Sequence, residues 1–290
     1  MFSPEEKLAC RKLIELALAE DLGERGDVTS QAVIPEDLRG SAVFLAKAAG
    51  VVAGLPAAEL VMKAVDAQIR FEYLKQDGER VMLRDRLATV AGPMRSILAA
   101  ERTALNFVQH LSGIATKTRI FADAAKGSPL KILDTRKTLP GWRLLAKYAV
   151  RCGGGHNQRM GLHDAILIKD NHLDALGTDK VAAIENAIKW TRRIAPSLPI
   201  EVEVNTLDEF DRALSCAADI ILLDNMTVLD TQEAVRRRNQ HACEAQLEVS
   251  GNVHEEVIPF LVEWGIDRVS IGELTHSAPV LDISLEYDSR

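Results

Sequence analysis

Residues 200–224 read IEVEVNTLDEFDRALSCAADIILLD, which is two short apolar strands with a helical segment between them. The same alternation extends from residue 130 to residue 272, mostly at intervals of about 20–35 residues, the size of a βα unit. Its strands are KILD (131–134), AILIK (165–169), IEVEV (200–204), IILLD (220–224), LEVS (247–250) and RVSIG (268–272). The pattern predicts parallel strands that close, or nearly close, into a barrel with helices outside.

The first 130 residues mix strands and helices without a regular repeat. Ser3, Pro4 and the two glutamates that follow predict a helix that runs to about Leu22, and GERGDVTS (23–30) then reads as a loop. The other predicted elements are strands at 41–48, 69–75 and 86–91, and helices at 56–66, 93–113 and 114–126. Gly113 is taken as the end of the long helix that Pro93 opens.

The composition narrows the functional classes. The chain has 290 residues, of which 47% are hydrophobic and 27% charged, as in ordinary globular proteins. A formal net charge of −7 argues against a general binder of nucleic acid or of anionic membranes. No apolar run approaches the ~20 residues of a membrane span, and the charged N-terminus is unlike a signal peptide. The four cysteines form no C-x-x-C pair, so we expect a cytoplasmic, reducing setting.

Residues 134–172, called the cationic segment below, contain seven Lys and Arg against three Asp, a net charge of +4 in an acidic chain. Concentrating like charges is unfavourable, and a bound anion would offset the repulsion. Gly153–Gly155 lie in the middle of the segment, where glycine would let a ligand approach the main chain. The segment therefore predicts a site for a polyanionic small molecule.

Polar, charged or glycine residues follow or end all six strands of the repeat. These residues are Asp134 to Lys137, Lys169, Glu203, Asp224, Ser250-Gly251 and Gly272. In βα barrels the carboxyl ends of the strands form the mouth where chemistry takes place. The placement therefore predicts an enzyme with its site at this end of the sheet.

Four cations are the candidate anion ligands, because guanidinium grips carboxylate or phosphate with a planar fork and lysine adds a compact charge. They are Arg136, Lys137, Arg159 and Lys169. The other three cations of the segment fall on a predicted helix, where solvated charge is the simpler interpretation. They are Arg143, Lys147 and Arg151.

Glu203 and Asp224 end neighbouring strands and are suited to hold a divalent metal or to hydrogen-bond sugar hydroxyls. Either could instead pair with Lys169 in a buried ion network. Ser250-Gly251-Asn252 and Gly272 are predicted to offer backbone N–H groups at helix starts, as a phosphate cradle. His156 and His172 stay open between structural and acid–base roles.

Nine blocks of the sequence resemble the quinolinate phosphoribosyltransferase family, the carboxylating nicotinate-nucleotide pyrophosphorylases. In family order they are GERGDVTS, ERTALNFVQHLSGIAT, TRKTLPGWR, KYAVRCGGGHNQRMGLHD, LIKDNH, EVEV, IILLDNM, EVSGNV and SIGELTHS, and their spread extends the resemblance over essentially the whole chain. The resemblance implies an α/β fold of the type II phosphoribosyltransferase kind, an open, about seven-stranded α/β barrel (114–274) with an N-terminal α/β sandwich domain (1–113). The C-terminal tail, 275–290, is expected to pack on the sandwich domain.

The resemblance also implies a reaction, a pentosyl transfer that belongs to NAD biosynthesis. Quinolinate and phosphoribosyl pyrophosphate give nicotinate mononucleotide, pyrophosphate and CO₂, with Mg²⁺. The implied enzyme is a homodimer in which Arg102 of one subunit enters the active site of its neighbour.

The family pattern implies roles for individual residues. The implied ligands of the carboxylates and phosphates are Arg102, Thr135, Arg136, Lys137, Arg159 and Lys169. The implied catalytic residues are Lys137, Lys169, Glu203 and Asp224, the last two near the ribose hydroxyls and Mg²⁺. The implied cradle of the 5′-phosphate is Ser250, Gly251, Asn252, Ile271, Gly272 and Glu273.

Two residues depart from the family blocks. Gln158 stands where the block G-G-G-x-N-H-R has histidine, so a protonated histidine at that position is not part of this protein's mechanism. Asn205 stands where an acidic residue often follows EVEV, a position expected to be peripheral.

The residues alone leave other functions open. A barrel lyase could use Lys169 as a Schiff-base nucleophile, and a non-catalytic protein could bind a phosphorylated sugar without turnover. A relative of the same family could also act on a different base, although the arginine set favours an acid with two negative charges.

Overall fold

The computed structural model describes residues 2–177, 179–241 and 244–287. Contacts group the chain into two compact units. The first unit comprises Met1–Ile120, Lys137–Gly155 and Glu273–Arg290, and the second comprises Phe121–Arg136 and His156–Gly272. These contact units divide the chain at other residues. The division into domains at residue 113 stays a prediction.

The strands are β1 (Arg39–Ala46), β2 (Gly50–Val51), β3 (Arg70–Tyr73), β4 (Arg80–Val81), β5 (Arg86–Pro93), β6 (Lys131–Leu133), β7 (Ile166–Ile168), β8 (Ile200–Val204), β9 (Ile220–Asp224), β10 (Gln246–Ser250), β11 (Arg268–Ser270) and β12 (Ile283–Tyr287). The helices are α1 (Pro4–Leu22), α2 (Val28–Val33), α3 (Leu55–Val65), α4 (Met94–Ala124), α5 (Arg143–Cys152), α6 (Asp170–Asp174), α7 (Lys180–Ile194), α8 (Leu207–Ser215), α9 (Val228–Gln240), α10 (Ile258–Trp264) and α11 (Glu273–His276). A 3₁₀ turn, Glu255–Val257, precedes α10.

The first unit contains a four-stranded sheet in the order β12-β1-β5-β3, with every neighbouring pair antiparallel, and the small pair β2-β4. The C-terminal strand β12 joins this sheet beside β1, where Phe44 pairs with Leu285. Part of the predicted tail, 288–290, lies outside the described residues.

The second unit contains six parallel strands in the order β6-β11-β10-β9-β8-β7. All six predicted strands of the repeat are thereby confirmed, as is the α/β barrel class. Among the described residues β6 and β7 do not pair, so the sheet is open there. The resemblance implies about seven strands, one more than the six observed. An isolated parallel bridge between Leu133 and His156 lies beside β6.

Alternation along the strands gives this sheet two chemically different faces. One cross-sheet row, called the apolar row, runs through Val204, Leu223, Val249, Val269 and Ile132. The row one residue earlier, called the charged row, runs on the opposite face through Glu203, Leu222, Glu248, Arg268 and Lys131. Helices α7 and α8 pack against β8, and α8 also packs against β9.

The N-terminal helix starts and ends where the sequence predicts. The Ser3 hydroxyl accepts a hydrogen bond from the Glu6 amide (3.2 Å), and the Glu6 carboxylate accepts one from the Ser3 amide (2.8 Å). This capping box and Pro4 fix the first turn. Gly23, with φ of +50°, ends the helix.

Two predicted boundaries in the first unit are wrong. Gly113 does not end a helix, because α4 runs through it to Ala124. A Cβ at Gly113 would lie 2.1 Å from the carbonyl oxygen of Pro279, so the glycine serves a close approach of main chain to the helix. The predicted loop 23–30 also contains the start of α2, where the Asp27 carboxylate caps the amide of Ser30 at 2.9 Å.

The predicted helix with solvated cations is present as α5, but the solvated interpretation fails for Lys147, which is fully buried. Arg143 is half-buried and donates to the Thr138 hydroxyl (3.3 Å). Arg151 is exposed, and its guanidinium pairs with Glu6 at 2.5 Å. A charged side chain on a helix is thus not necessarily exposed when the helix packs against other elements, as α5 does against α1 and α11. None of the described helices is long and apolar enough to cross a membrane.

Candidate active site

The second unit gathers predicted site residues, most of them polar, at the carboxyl ends of its parallel strands, as the sequence predicts. Those placed there are Thr135 and Arg136 after β6, Lys169 after β7, Glu203 in β8, Asp224 in β9, Ser250 in β10, and Ile271 and Gly272 after β11. Since parallel strands present the same ends to one edge, this edge is the candidate active site.

Arg136 and Arg159 form the most unusual feature of this edge. Each has a buried Nε atom with no hydrogen-bond partner among the described residues. Burial and the neighbouring positive charge of Arg136 lower the pKa of Arg159, whereas the carboxylates of Glu201 and Asp164 act in the opposite direction. Two like-charged guanidinium groups near enough to interact, each with a buried Nε donor that has no partner among the described residues, are suited to bind an anion that carries two negative charges.

Lys169 and Glu203 form an ion pair, with Nζ 2.7 Å from Oε2. The Glu203 side chain is 8% exposed and the Lys169 side chain 44%. The pair is the pairing of Glu203 with Lys169 that the sequence left open, and it engages the amine that a Lys169 lyase would need as its free nucleophile. His172 caps α6 by accepting a hydrogen bond from the Lys169 amide at Nδ1 (2.9 Å), which is a structural use.

The loop after β10 lies against the loop after β9. The Asn225 amide donates to the Ser250 carbonyl (3.1 Å), and the Asn225 side chain donates to an Asp224 carboxylate oxygen (3.0 Å). Gly251 has φ of +96°, and a Cβ there would lie 2.1 Å from the Asn225 side chain. Only glycine therefore fits at this position.

The predicted phosphate cradle differs in detail from the structure. Residues 250–252 do not start a helix, because the 3₁₀ turn begins at Glu255 and α10 at Ile258. Gly272 does directly precede α11. The Ile271 amide donates to the Leu133 carbonyl (2.9 Å), so it holds β11 to β6 rather than facing a phosphate.

Sequence reasoning missed a buried polar network on the face of the charged row. Glu248 is fully buried. Its two carboxylate oxygens accept hydrogen bonds from the side-chain amide of Gln158 and from the Arg268 guanidinium, each at 2.7 Å. Burial and the negative charge of Glu248 raise the pKa of Glu201 to about 8. The signal in the sequence was the alternation in IEVEV, which puts Glu201 and Glu203 two residues apart on one face, and the single acidic residue Glu248 in LEVS.

Asp134 was assigned no role of its own, although it is fully buried at the end of β6. Its carboxylate accepts hydrogen bonds from the Asn157 side chain (2.5 Å) and the Gln158 amide (2.9 Å). The His156 amide in turn donates to the Ile132 carbonyl (2.8 Å). The segment that carries Arg159 is therefore tied along β6.

The glycine run of the cationic segment has a packing role in the first unit. A Cβ at Gly153 would lie 2.5 Å from the Thr118 Cβ atom, and one at Gly155 would lie 2.7 Å from Thr118 Cγ2. Arg119 also donates to the Gly153 carbonyl at 2.8 Å. The expectation that these glycines serve close approach of a ligand is replaced by close approach to α4.

Three predicted site residues belong to the first unit. Arg102 is exposed on α4. Lys137 is exposed, and its carbonyl accepts a hydrogen bond from the Thr275 hydroxyl (2.8 Å). Glu273 begins α11 and pairs with Lys117 at 3.2 Å.

The described residues contain no group of three or more His, Cys, Asp or Glu side chains arranged to hold a metal ion. Glu203 and Asp224 remain the acidic pair at the strand ends, and one Glu203 oxygen is already bound to Lys169. Mg²⁺ needs about six oxygen ligands in octahedral geometry. The donor set therefore fits only an ion that takes most of its ligands from substrate and water.

Comparison with known proteins defines the class. The model of the quinolinate phosphoribosyl transferase C-terminal domain matches residues 114–286, and that of the N-terminal domain matches residues 27–112. The chain therefore belongs to the quinolinate phosphoribosyltransferase family.

Relatives resemble the chain over nearly its whole length. The nicotinate-nucleotide pyrophosphorylase [carboxylating] of Mycobacterium leprae is 44% identical over 99% of this chain and 100% of its own. The chloroplastic enzyme of the same name from Arabidopsis thaliana is 42% identical over 96% of this chain and 83% of its own. The solved structure of the Francisella tularensis nicotinate-nucleotide pyrophosphorylase is 38% identical, with a TM-score of 0.88, and covers 97% of this chain and 96% of its own. NadC from Streptococcus pyogenes is 37% identical, with a TM-score of 0.90, over 100% of this chain and 99% of its own.

Proposed function

We propose that this chain transfers the phosphoribosyl group of phosphoribosyl pyrophosphate to quinolinate, with release of pyrophosphate and CO₂ and formation of nicotinate mononucleotide. Family membership supports this reaction, and relatives over 40% identical carry the name of the enzyme. The observation that carries it is the pair Arg136 and Arg159, whose buried Nε donors have no partner among the described residues.

The arginine pair suits quinolinate because its two carboxylates lie on adjacent ring atoms. A guanidinium binds a carboxylate through two parallel hydrogen bonds, and two neighbouring guanidiniums offer this arrangement twice. Binding would also offset the repulsion between the two cations, since their charges are close enough for Arg136 to lower the pKa of Arg159.

The acidic residues support the transfer step. Loss of pyrophosphate builds positive charge on the sugar carbon, which carboxylates near the ribose stabilise. Glu203 is held in place by Lys169, and Asp224 by the side chain of Asn225. Bond formation to the ring nitrogen makes a pyridinium, which favours loss of the adjacent carboxylate as CO₂. No covalent nucleophile is required, and positioning supplies much of the rate.

Mg²⁺ belongs to this proposal as an ion carried mainly by the substrate. Bound, it would neutralise part of the diphosphate charge. Glu203 and Asp224 would contribute the protein oxygens, which agrees with the small acidic set at the strand ends.

The test is direct. The purified chain, mixed with quinolinate, phosphoribosyl pyrophosphate and Mg²⁺, should form nicotinate mononucleotide and CO₂ in equal amounts, and neither should form without phosphoribosyl pyrophosphate. A folded protein that yields neither product contradicts the proposal. Replacement of quinolinate by nicotinate tests the relative acting on a different base, which would turn over the monocarboxylate.

We further propose that the active unit is a homodimer in which Arg102 serves the neighbouring subunit. Its exposure on α4 supports a role outside its own fold. Equal amounts of Arg102→Ala and Lys169→Ala proteins, dissociated and reassembled together, should recover activity because each hybrid contains one intact site. The matched control mixes Lys169→Ala with Arg159→Ala. Both residues belong to the second unit, so each site of a hybrid carries one of the changes, and no activity should return. Equal behaviour of the two mixtures would contradict the shared site.

A further inference from the structure

The two arginines of the site stand on separate segments of the second unit. Arg136 follows β6 after two residues, and Arg159 follows Gln158 in the segment tied to β6. Two neighbouring guanidiniums repel, so they would move apart unless something fixed their segments. The described residues give neither Nε atom a hydrogen-bond acceptor. Hydrogen bonds at the Nε atoms therefore do not set their spacing, which depends on the main chain that carries the two side chains and, at Arg159, on the attraction of Glu201 and Asp164.

One buried carboxylate joins both segments. Asp134 is fully buried and lies two residues before Arg136. It accepts the amide of Gln158 at 2.9 Å and the side chain of Asn157 at 2.5 Å, immediately before Arg159. A charged acceptor strengthens such bonds, and burial keeps water from replacing them.

Gln158 is also held from its other side. Its side-chain amide donates to Glu248 at 2.7 Å, and Glu248 is fixed by the Arg268 guanidinium at 2.7 Å. The backbone amide of Gln158 is thus held by Asp134, directly after β6, and its side-chain amide by Glu248 of β10. The next residue in the chain is Arg159, so these two anchors hold the main chain from which its side chain extends.

We propose that Gln158, anchored by Asp134 and Glu248, is a positioning residue that sets the spacing of Arg159 from Arg136 and so selects two carboxylates on adjacent ring atoms. This inference rests on the proposed function of the same arginine pair. When the spacing of the two arginines is fixed in advance, little side-chain entropy is lost on binding a dianion of matching spacing. Carboxylates that are further apart fit less well and bind with lower affinity.

The test compares two probes, benzene-1,2-dicarboxylate and benzene-1,3-dicarboxylate, by calorimetric titration. They have equal charge and composition and differ only in the spacing of the carboxylates. The wild-type protein should bind the 1,2 isomer more tightly. Gln158→Met keeps the length of the side chain and removes its donor, and should reduce the 1,2 over 1,3 preference about tenfold, as expected for loss of a hydrogen bond to a buried carboxylate.

Gln246→Met is the matched control. Gln246 belongs to the same network, since its side-chain oxygen accepts from Arg268 at 3.4 Å, but it holds neither arginine segment. The same chemical change there should leave the preference unchanged. A merely structural loss would weaken both probes alike in both variants, whereas a positioning role changes their ratio in Gln158→Met alone.

Several outcomes overturn the inference. It fails if the wild type binds both isomers equally or binds neither, or if Gln158→Met keeps the full preference. Should Gln158→Met not fold, Gln158→Asn withdraws the amide from Glu248 by one methylene and must show the same loss. Turnover of quinolinate is measured separately in the wild type, so a failed proposed function and a failed positioning role give different results.

Discussion

Two neighbouring rows of the six-stranded sheet differ in almost every property, although the same strands supply them. Four of the five residues of the apolar row, Val204, Leu223, Val269 and Ile132, are each 2% exposed or less, and Val249 is partly exposed. The charged row has Glu203, Glu248 and Arg268, with Glu248 fully buried. Burying apolar surface stabilises the fold, whereas burying charge costs free energy unless every charge is paired. The comparison teaches that one face supplies stability and the other holds the charges that the chemistry needs.

The largest effect is expected from breaking a pair in the charged row. Glu248→Ala should lower the free energy of unfolding by about 4 kcal/mol, because Arg268 and Gln158 lose their buried acceptor. Urea unfolding followed by circular dichroism measures it. Glu248→Gln, which keeps the shape and one acceptor oxygen, should lose less. A loss below about 1 kcal/mol in Glu248→Ala would mean that water reaches this pair.

The apolar row should fail in stability alone. Leu223→Ala should lower the free energy of unfolding by about 3 kcal/mol, through lost burial and the cavity it leaves. Its kcat/KM per folded molecule should stay near the wild-type value. Leu229→Ala, at a leucine 77% exposed on α9, is the control and should change stability by less than about 0.5 kcal/mol. A large fall in kcat/KM in Leu223→Ala would remove the distinction between the faces.

The candidate anion-binding cations should show the reverse pattern, a loss of activity with little loss of stability. Arg159→Ala and Lys137→Ala should each lower kcat/KM at least about tenfold, which is about 1.4 kcal/mol of transition-state binding, with little change in stability. Steady-state kinetics and the unfolding curve are both required. Arg236→Ala, on the exposed surface of α9 where Arg236 pairs with Glu233, is the control. Wild-type kinetics in both test variants would place the site elsewhere.

The smallest effect concerns pH and the turn after Arg159. Burial acts to raise the pKa of Asp164, but hydrogen bonds from the amides of Met160 and Gly161 outweigh it and hold the pKa below its usual 3.8. The stabilisation is therefore present above pH 3.8 and lost as pH falls through the lower folded-state value. Asp164→Asn should make stability less dependent on pH in that acidic range, by a small amount because the group is exposed. An unchanged pH profile would contradict this.

Pattern reasoning was accurate where a residue's surroundings repeat with the strand. Lys169 and Asp224 were placed at strand ends because apolar runs stop there, and Glu203 was placed near the end of IEVEV; the structure puts all three there. It failed for Lys147, because the sequence predicts a solvated cation on any helix and does not show which elements pack against that helix. It failed for Gly113 because a neighbouring main chain, 166 residues further along at Pro279, sets the need for glycine.

The sequence by itself determined the βα rhythm, the parallel sheet and the family, because alternation and motif blocks are local in the chain. Only the tertiary structure decided which charges are paired and which are not. Asp134 meets Gln158 across 24 positions, and Gln158 meets Glu248 across 90. Electrostatic pairing depends on distances of a few ångströms, which no local pattern encodes. The Nε donors of Arg136 and Arg159 that have no partner among the described residues were likewise visible only in the tertiary structure.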